Sequence, residues 1–168
     1  MVRTGRGKRM GSRIAGALAL LSVAGYAASL TLFNSIQFVF GSIAALAAVR
    51  ILGPGWGIAV AVVGASTTIV TWGHPYAVAI FTLEIAFVGL LARRHDNIAL
   101  LDALFWLVAG VPLVMLGYSG ALGLPGETAV FIGLKQAVNG VFNAVVAGLL
   151  LSLLPMLSER LRPRMPRV

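Results

Sequence analysis

Six apolar stretches separated by short polar turns occupy almost the whole chain, at 14–33, 36–52, 56–72, 77–91, 98–117 and 128–154. A bilayer core about 30 Å thick requires roughly 17–25 apolar residues of helix. The first, fifth and sixth stretches meet that length comfortably. The second, third and fourth are short and call for local thinning or snorkelling of their polar ends. The pattern predicts an all-α, polytopic membrane bundle of six transmembrane helices with both termini on one face. A basic segment at 1–13 precedes the membrane domain at 14–154, and a basic tail follows at 155–168.

Charge orients the weave. Arg3, Arg6, Lys8, Arg9 and Arg13 precede the first stretch, Arg50 ends the second, and Arg93 and Arg94 follow the fourth. Arg160, Arg162, Arg164 and Arg167 close the chain, so twelve of the thirteen Lys and Arg residues share one face. The opposite turns, at 34–37, 73–76 and 118–127, hold none. The bias of Lys and Arg toward cytoplasmic loops places both termini in the cytoplasm. A different number of crossings would scatter these charges over both faces.

The formal charge of +8 raises nucleic acid as a partner, but the basic groups sit at helix ends rather than along one face. They suit anionic lipid headgroups instead. The absence of cysteine excludes disulfides and thiolate chemistry. With 59% hydrophobic and 11% charged residues, the chain has no room for an ordinary soluble domain. The basic start followed by apolar residues superficially matches a signal peptide. The first stretch exceeds an h-region of about 7–15 residues, so it reads as a retained helix.

The turns are chemically explicit. Gly53-Pro54-Gly55-Trp56-Gly57 and Gly73-His74-Pro75-Tyr76 combine permissive and restricted backbones, and Trp72 and Tyr76 suit the membrane interface. Asp96 or Asn97 is positioned to cap the fifth helix. The 119–127 connection is the longest and the natural moving part. Pro112 should kink the fifth helix. Small residues spaced by four, as at Ala15/Ala19, Gly25/Ser29, Ala44/Ala48 and Gly140/Ala144/Gly148, permit close helix packing.

The functional signal lies in polar groups that hydrocarbon rejects. Glu84 falls half-way along the fourth stretch and Lys135 about seven residues inside the sixth, at a shared depth of roughly 10–12 Å from the outer face. Each costs on the order of 3 kcal/mol at mid-bilayer. They are expected to face each other or a common cavity. Gln136, Asn139 and Asn143 extend Lys135 into a polar stripe at helical spacing. Asn34, Gln37, Ser66, Thr67, Thr68, Thr71 and His74 supply polar groups on the outer side. Phe38, Phe40, Trp72, Tyr76, Phe81 and Trp106 can wall a pocket. Ser and Thr can alternatively bond back to their own helices. Arg50, Arg93, Arg94 and Asp102 read as structural charges near the cytoplasmic interface.

Catalysis finds no support in the sequence. The two histidines, His74 and His95, fall on opposite faces in this topology, and no nucleophile–base–acid set or phosphate-cradling loop is visible. No cofactor or metal is expected.

Several motifs together resemble a known group of domains. They are Phe40-Gly41-Ser42-Ile43-Ala44, Leu52-Gly53 with Trp56-Gly57, Trp72-Gly73-His74-Pro75-Tyr76-Ala77 and Phe81-Thr82-Leu83-Glu84. Val88-Gly89-Leu90-Leu91 and Lys135-Gln136-Ala137 with Asn139-Gly140 and Asn143-Ala144 complete the set. This pattern, over roughly 30–155, resembles the membrane-embedded N-terminal input domains of bacterial diguanylate cyclases and PAS-containing histidine kinases. The layout is also similar to the substrate-binding S components of energy-coupling-factor vitamin transporters. The first resemblance implies a sensor of a small extracytoplasmic molecule, reporting to a cytoplasmic signalling domain or partner. The second implies nutrient capture for a membrane coupling subunit. Both direct attention to Glu84, Lys135, Gln136, Asn139 and His74 as ligand-side residues; the polar pattern itself adds Asn143, Thr71 and Gln37.

Overall fold

The computed structural model describes residues 4–31 and 37–161. Arg3, Asn34, Ser35, Arg162, Arg164 and Arg167, which carry part of the charge and turn argument, lie outside them. Helix α1 spans Thr4–Ala27 and leads into a short antiparallel pair, β1 (Leu30–Thr31) with β2 (Gln37–Phe38). Then follow α2 (Gly41–Leu52), α3 (Pro54–Ala65), α4 (Thr67–Trp72) and α5 (Tyr76–Leu91). Next comes a long helix built from α6 (Ile98–Phe105), α7 (Val111–Val114) and two π-helical segments, and finally α8 (Gly126–Leu161).

Four helices are long and apolar enough to cross a membrane: Arg9–Ala27, Pro54–Trp72, Ile98–Ala121 and Gly126–Leu154. Gly41–Leu52 and Tyr76–Leu91 are apolar but shorter. The exterior is greasy, with Leu107 76% and Val70 89% exposed. A surface of that kind fits a membrane protein and would aggregate in water.

The helix ends follow local chemistry. Asn97 caps α6 by accepting from Leu100 N at 3.0 Å, one of the two caps expected there. Gly53 and Gly73 adopt φ of 98° and 74° at the two tight turns, where a side chain would be strained. At the end of the bundle that holds the Gly53 turn, Arg50 donates to Asp96 O at 2.7 Å and Asp96 Oδ1 at 3.2 Å.

Three features depart from the hydropathy reading. The first two apolar stretches are not helical throughout: α1 stops at Ala27, α2 begins at Gly41, and Leu30–Thr31 pairs with Gln37–Phe38 as a two-stranded ribbon. The 119–127 connection shortens, because a π-helical segment runs through Ala121 and α8 starts at Gly126. Pro112 is flanked by wide turns at Trp106–Gly110 and Met115–Ala121. There Val111 N donates to Trp106 O and Leu122 N to Gly117 O, each five residues back. Proline offers no N–H to the ladder and crowds the preceding carbonyls; a wide turn relieves that crowding.

Two apolar clusters form the core. One, toward the Gly53 turn, contains Leu46, Val49, Val60, Ile85, Val88, Leu101 and Ala144. The other, toward the Gly73 turn, contains Tyr26, Val39, Phe81, Phe105, Trp106 and Tyr118. Small residues close the gaps: a Cβ on Gly25 would lie 2.8 Å from Gly41 N, and one on Gly64 would strike the Ser22 hydroxyl. Ala15, Ala44, Ala48 and Ala144 are likewise buried within the chain, so these small residues serve internal packing.

Candidate functional site

An open cavity of about 300 Å³ lies beside the Gly73 turn, lined by Gln37, Trp72, His74, Tyr118, Ile132, Lys135 and Gln136. The extended β2 segment supplies Gln37, α4 supplies Trp72, the turn between α4 and α5 supplies His74, the second π-helical segment supplies Tyr118, and α8 supplies Ile132, Lys135 and Gln136. The Lys135 ammonium donates to Gln37 O at 3.0 Å and lies 5.6 Å from the centre of the Trp72 ring. An ammonium over an indole face is held electrostatically as well as by its hydrogen bond. Trp72 Nε1 in turn donates to Gln37 Oε1 at 3.3 Å, fixing the ring.

His74 stacks its ring edge-on against Tyr118, with centroids 4.9 Å apart, and tilts against Tyr76 at 5.7 Å. Burial pushes the His74 imidazole below its ordinary value of 6.5, because desolvation disfavours the charged ring. His74 Nδ1 and Gln136 Oε1 are buried without a hydrogen-bond partner among the described residues. The cavity therefore combines a cation, aromatic walls and two uncommitted polar atoms. Such a set can hold a small molecule carrying an anionic group.

One turn deeper, the polar stripe of α8 meets backbone rather than solute. Val39 N donates to Asn139 Oδ1 at 2.9 Å, and Asn139 Nδ2 donates to Val39 O at 2.8 Å. Asn143 Nδ2 donates to the same carbonyl at 2.9 Å and to Ser42 Oγ at 2.7 Å. The Asn139 amide thus pairs with Val39 as a neighbouring β-strand would. Non-helical backbone in an apolar setting persists only where protein satisfies its polar groups, and these two amides do so.

Glu84 lies elsewhere. No ion pair joins it to Lys135 among the described residues, so the expected facing pair is not formed. The reason is geometric: Lys135 is occupied by Gln37 O and Trp72, while Glu84 on α5 turns inward toward Asp102 and the Trp106 indole. Asp102, read from sequence as an interfacial charge, is also fully buried and unpaired.

Thr71 is exposed and donates to Thr67 O at 3.2 Å; Thr68 donates to Ala65 O and Ser66 to Val62 O. These hydroxyls bond back to their own chain outside the cavity lining. The structure thus brings together Gln37, His74, Lys135 and Gln136, with Asn139 and Asn143 directly behind them, and sets Glu84 and Thr71 apart. Of the expected walls, Trp72 lines the cavity; Phe81 packs behind it, with ring centroids 6.2 Å from Trp72 and 5.3 Å from Tyr26. Tyr118 and Ile132 were not anticipated: the first falls at the edge of a turn and the second within an apolar run, and neither position marks a cavity wall. Asp102 was visible as an acid four residues inside an apolar stretch. No family model and no curated protein matches this chain.

Proposed function

We propose that the chain is a six-crossing module of a bacterial inner membrane, with both termini cytoplasmic. It binds a small extracytoplasmic molecule with an anionic group in the cavity around Lys135 and signals to a cytoplasmic output domain or partner. The placement of twelve basic residues on one face and none in the opposite turns supports the topology. The cavity supports the binding: a membrane-buried lysine beside an indole, with unpartnered Gln136 Oε1 and His74 Nδ1 in reach, is costly unless used. Signalling follows if the solute prefers one of two bundle arrangements. The Gln37–Phe40 segment, which leads from β2 into α2 and contributes Gln37 to the cavity, is the element best placed to differ between them.

The same extended wall also favours a second reading, capture of a nutrient in the manner of an S component, with delivery through a coupling partner. Native mass spectrometry of the purified protein tests the shared claim. A bound small molecule is expected on the wild type and lost from Lys135→Met. Equal occupancy in both proteins would refute the role of Lys135. Uptake of that solute by cells producing the chain with and without candidate coupling subunits separates transport from sensing.

A further inference from the structure

The two acids of the bundle interior form a cluster separate from the outer cavity. Glu84 and Asp102 are each 0% exposed, and none of their four carboxyl oxygens has a hydrogen-bond partner among the described residues. They are neighbours, with the Trp106 indole beside Glu84. The place where they meet is floored by Gly140. A Cβ there would lie 2.9 Å from Asp102 Oδ2 and would strike Trp106 Nε1, so a side chain on α8 would fill the space.

Other uncommitted polar atoms belong to residues that flank the pair or Gly140. Trp106 Nε1, the Tyr26 hydroxyl and Asn143 Oδ1 are all buried and unpartnered among the described residues. Tyr26 on α1 is within electrostatic reach of both acids and next to Ser42 of α2. Asn143 sits one turn along α8 from Gly140, its amide nitrogen committed to Val39 O and Ser42 Oγ, which leaves its oxygen free.

Among the described residues no basic side chain balances the acids. Lys135 of α8 is held by Gln37 O, Arg50 of α2 by Asp96, and α3 and α4 contain no titratable residue. Two adjacent carboxyl groups shielded from water cannot both remain ionised without a compensating positive charge. Carboxylate and amide oxygens are the donor set of a hard cation.

We propose that Glu84 and Asp102, assisted by Asn143 Oδ1, form an intramembrane site for one small monovalent cation, a proton or a sodium ion, exchanged with the aqueous phase. The site rests on the membrane placement of the bundle and not on occupancy of the outer cavity. Binding there ties α5, α6 and α8 together, so occupancy would tighten their packing.

The scarcity of carboxyl groups makes the test clean. The chain has five acidic residues, and exposed carboxyls are ionised at about pH 7. Infrared spectra are recorded on protein reconstituted in phosphatidylcholine liposomes, in sodium-free choline chloride, with ¹³C-carboxyl-labelled Asp and Glu for assignment. A protonated-carboxyl band is expected in the wild type and absent from Glu84→Gln/Asp102→Asn. Loss of the band on adding sodium chloride at constant pH, with proton release to a weakly buffered medium, identifies sodium as the exchanging ion. Indifference to sodium with loss of the band at alkaline pH identifies the proton. No band in the wild type and no response to sodium would overturn the proposal. So would a band that neither sodium nor alkali alters, or one that survives in the double variant. If that variant does not fold, the labelled wild-type spectra decide alone.

Discussion

Replacing Asn139 with leucine isolates the pairing between α8 and the extended segment. Val39 N donates to Asn139 Oδ1, whereas Val39 O accepts from both Asn139 and Asn143. Asn139→Leu therefore removes two hydrogen bonds and strips the Val39 N–H of its acceptor. Losing the carbonyl bond costs about 0.5–1.5 kcal/mol net, and stranding a buried donor about 1–3 kcal/mol. The expected loss is about 2–4 kcal/mol. Asn143→Leu removes a second donor to a carbonyl that keeps its first, plus the Ser42 contact, and should cost about 1–2 kcal/mol. The double variant should lose more than the sum, because only then is Val39 O left bare. Unfolding of the reconstituted protein by steric trapping, for the wild type, both singles and the double, gives the full cycle. If Asn139→Leu proves no more destabilising than Asn143→Leu, or both fall below about 0.5 kcal/mol, the strand-like pairing is not what holds this segment.

Three further outcomes follow from the geometry. Gly140→Ala should lower stability by about 1–3 kcal/mol in a thermal melt, since its methyl would meet Trp106 Nε1 and Asp102 Oδ2; Gly148→Ala, with its nearest neighbour 3.9 Å away, should be close to neutral. Gly64→Ala should disrupt the α1–α3 crossing, because the methyl occupies the place of the Ser22 hydroxyl that donates to Gly41 O at 2.9 Å; its melting temperature should fall below that of Gly55→Ala, where the space is open. His74, depressed below 6.5 by burial, is protonated first in the unfolded chain. Stability should therefore be highest above about pH 6.5 and decline as pH falls toward the folded-state value. Melting temperature against pH should show that decline in the wild type and a flatter profile in His74→Gln.

The sequence made the turns legible because their determinants are local. Asn97 caps α6, and Gly73 takes the left-handed conformation its turn demands; both need only a few neighbouring residues. Lys135, Gln136, Asn139 and Asn143 stood out for the same reason, being polar at helical spacing within an apolar run. Their partners did not, since Gln37 and Val39 lie about a hundred residues away and contribute backbone atoms, which carry no sequence signature. Hydropathy also measures transfer from water and not backbone conformation. Gln37 and Phe38 therefore looked like helix while forming a strand with Leu30 and Thr31. Asp102 was misread because nearness to a helix end does not say which way a side chain points. The partner of an intramembrane acid is decided by helix rotation, and the wide turns around Pro112 alter that rotation in a manner apolar spacing cannot reveal.

Those wide turns carry a mechanical consequence. A π turn is one surplus residue lodged in an α-helix, and it can be handed along the helix while both ends stay docked. Each side chain it passes swings by about 100°, the angle between successive residues. Trp106 stands at one end of this stretch, over the acid pair, and Tyr118 at the other, in the wall of the outer cavity. Migration of the surplus residue would therefore turn one ring when the other is displaced, a linkage that requires no helix to slide.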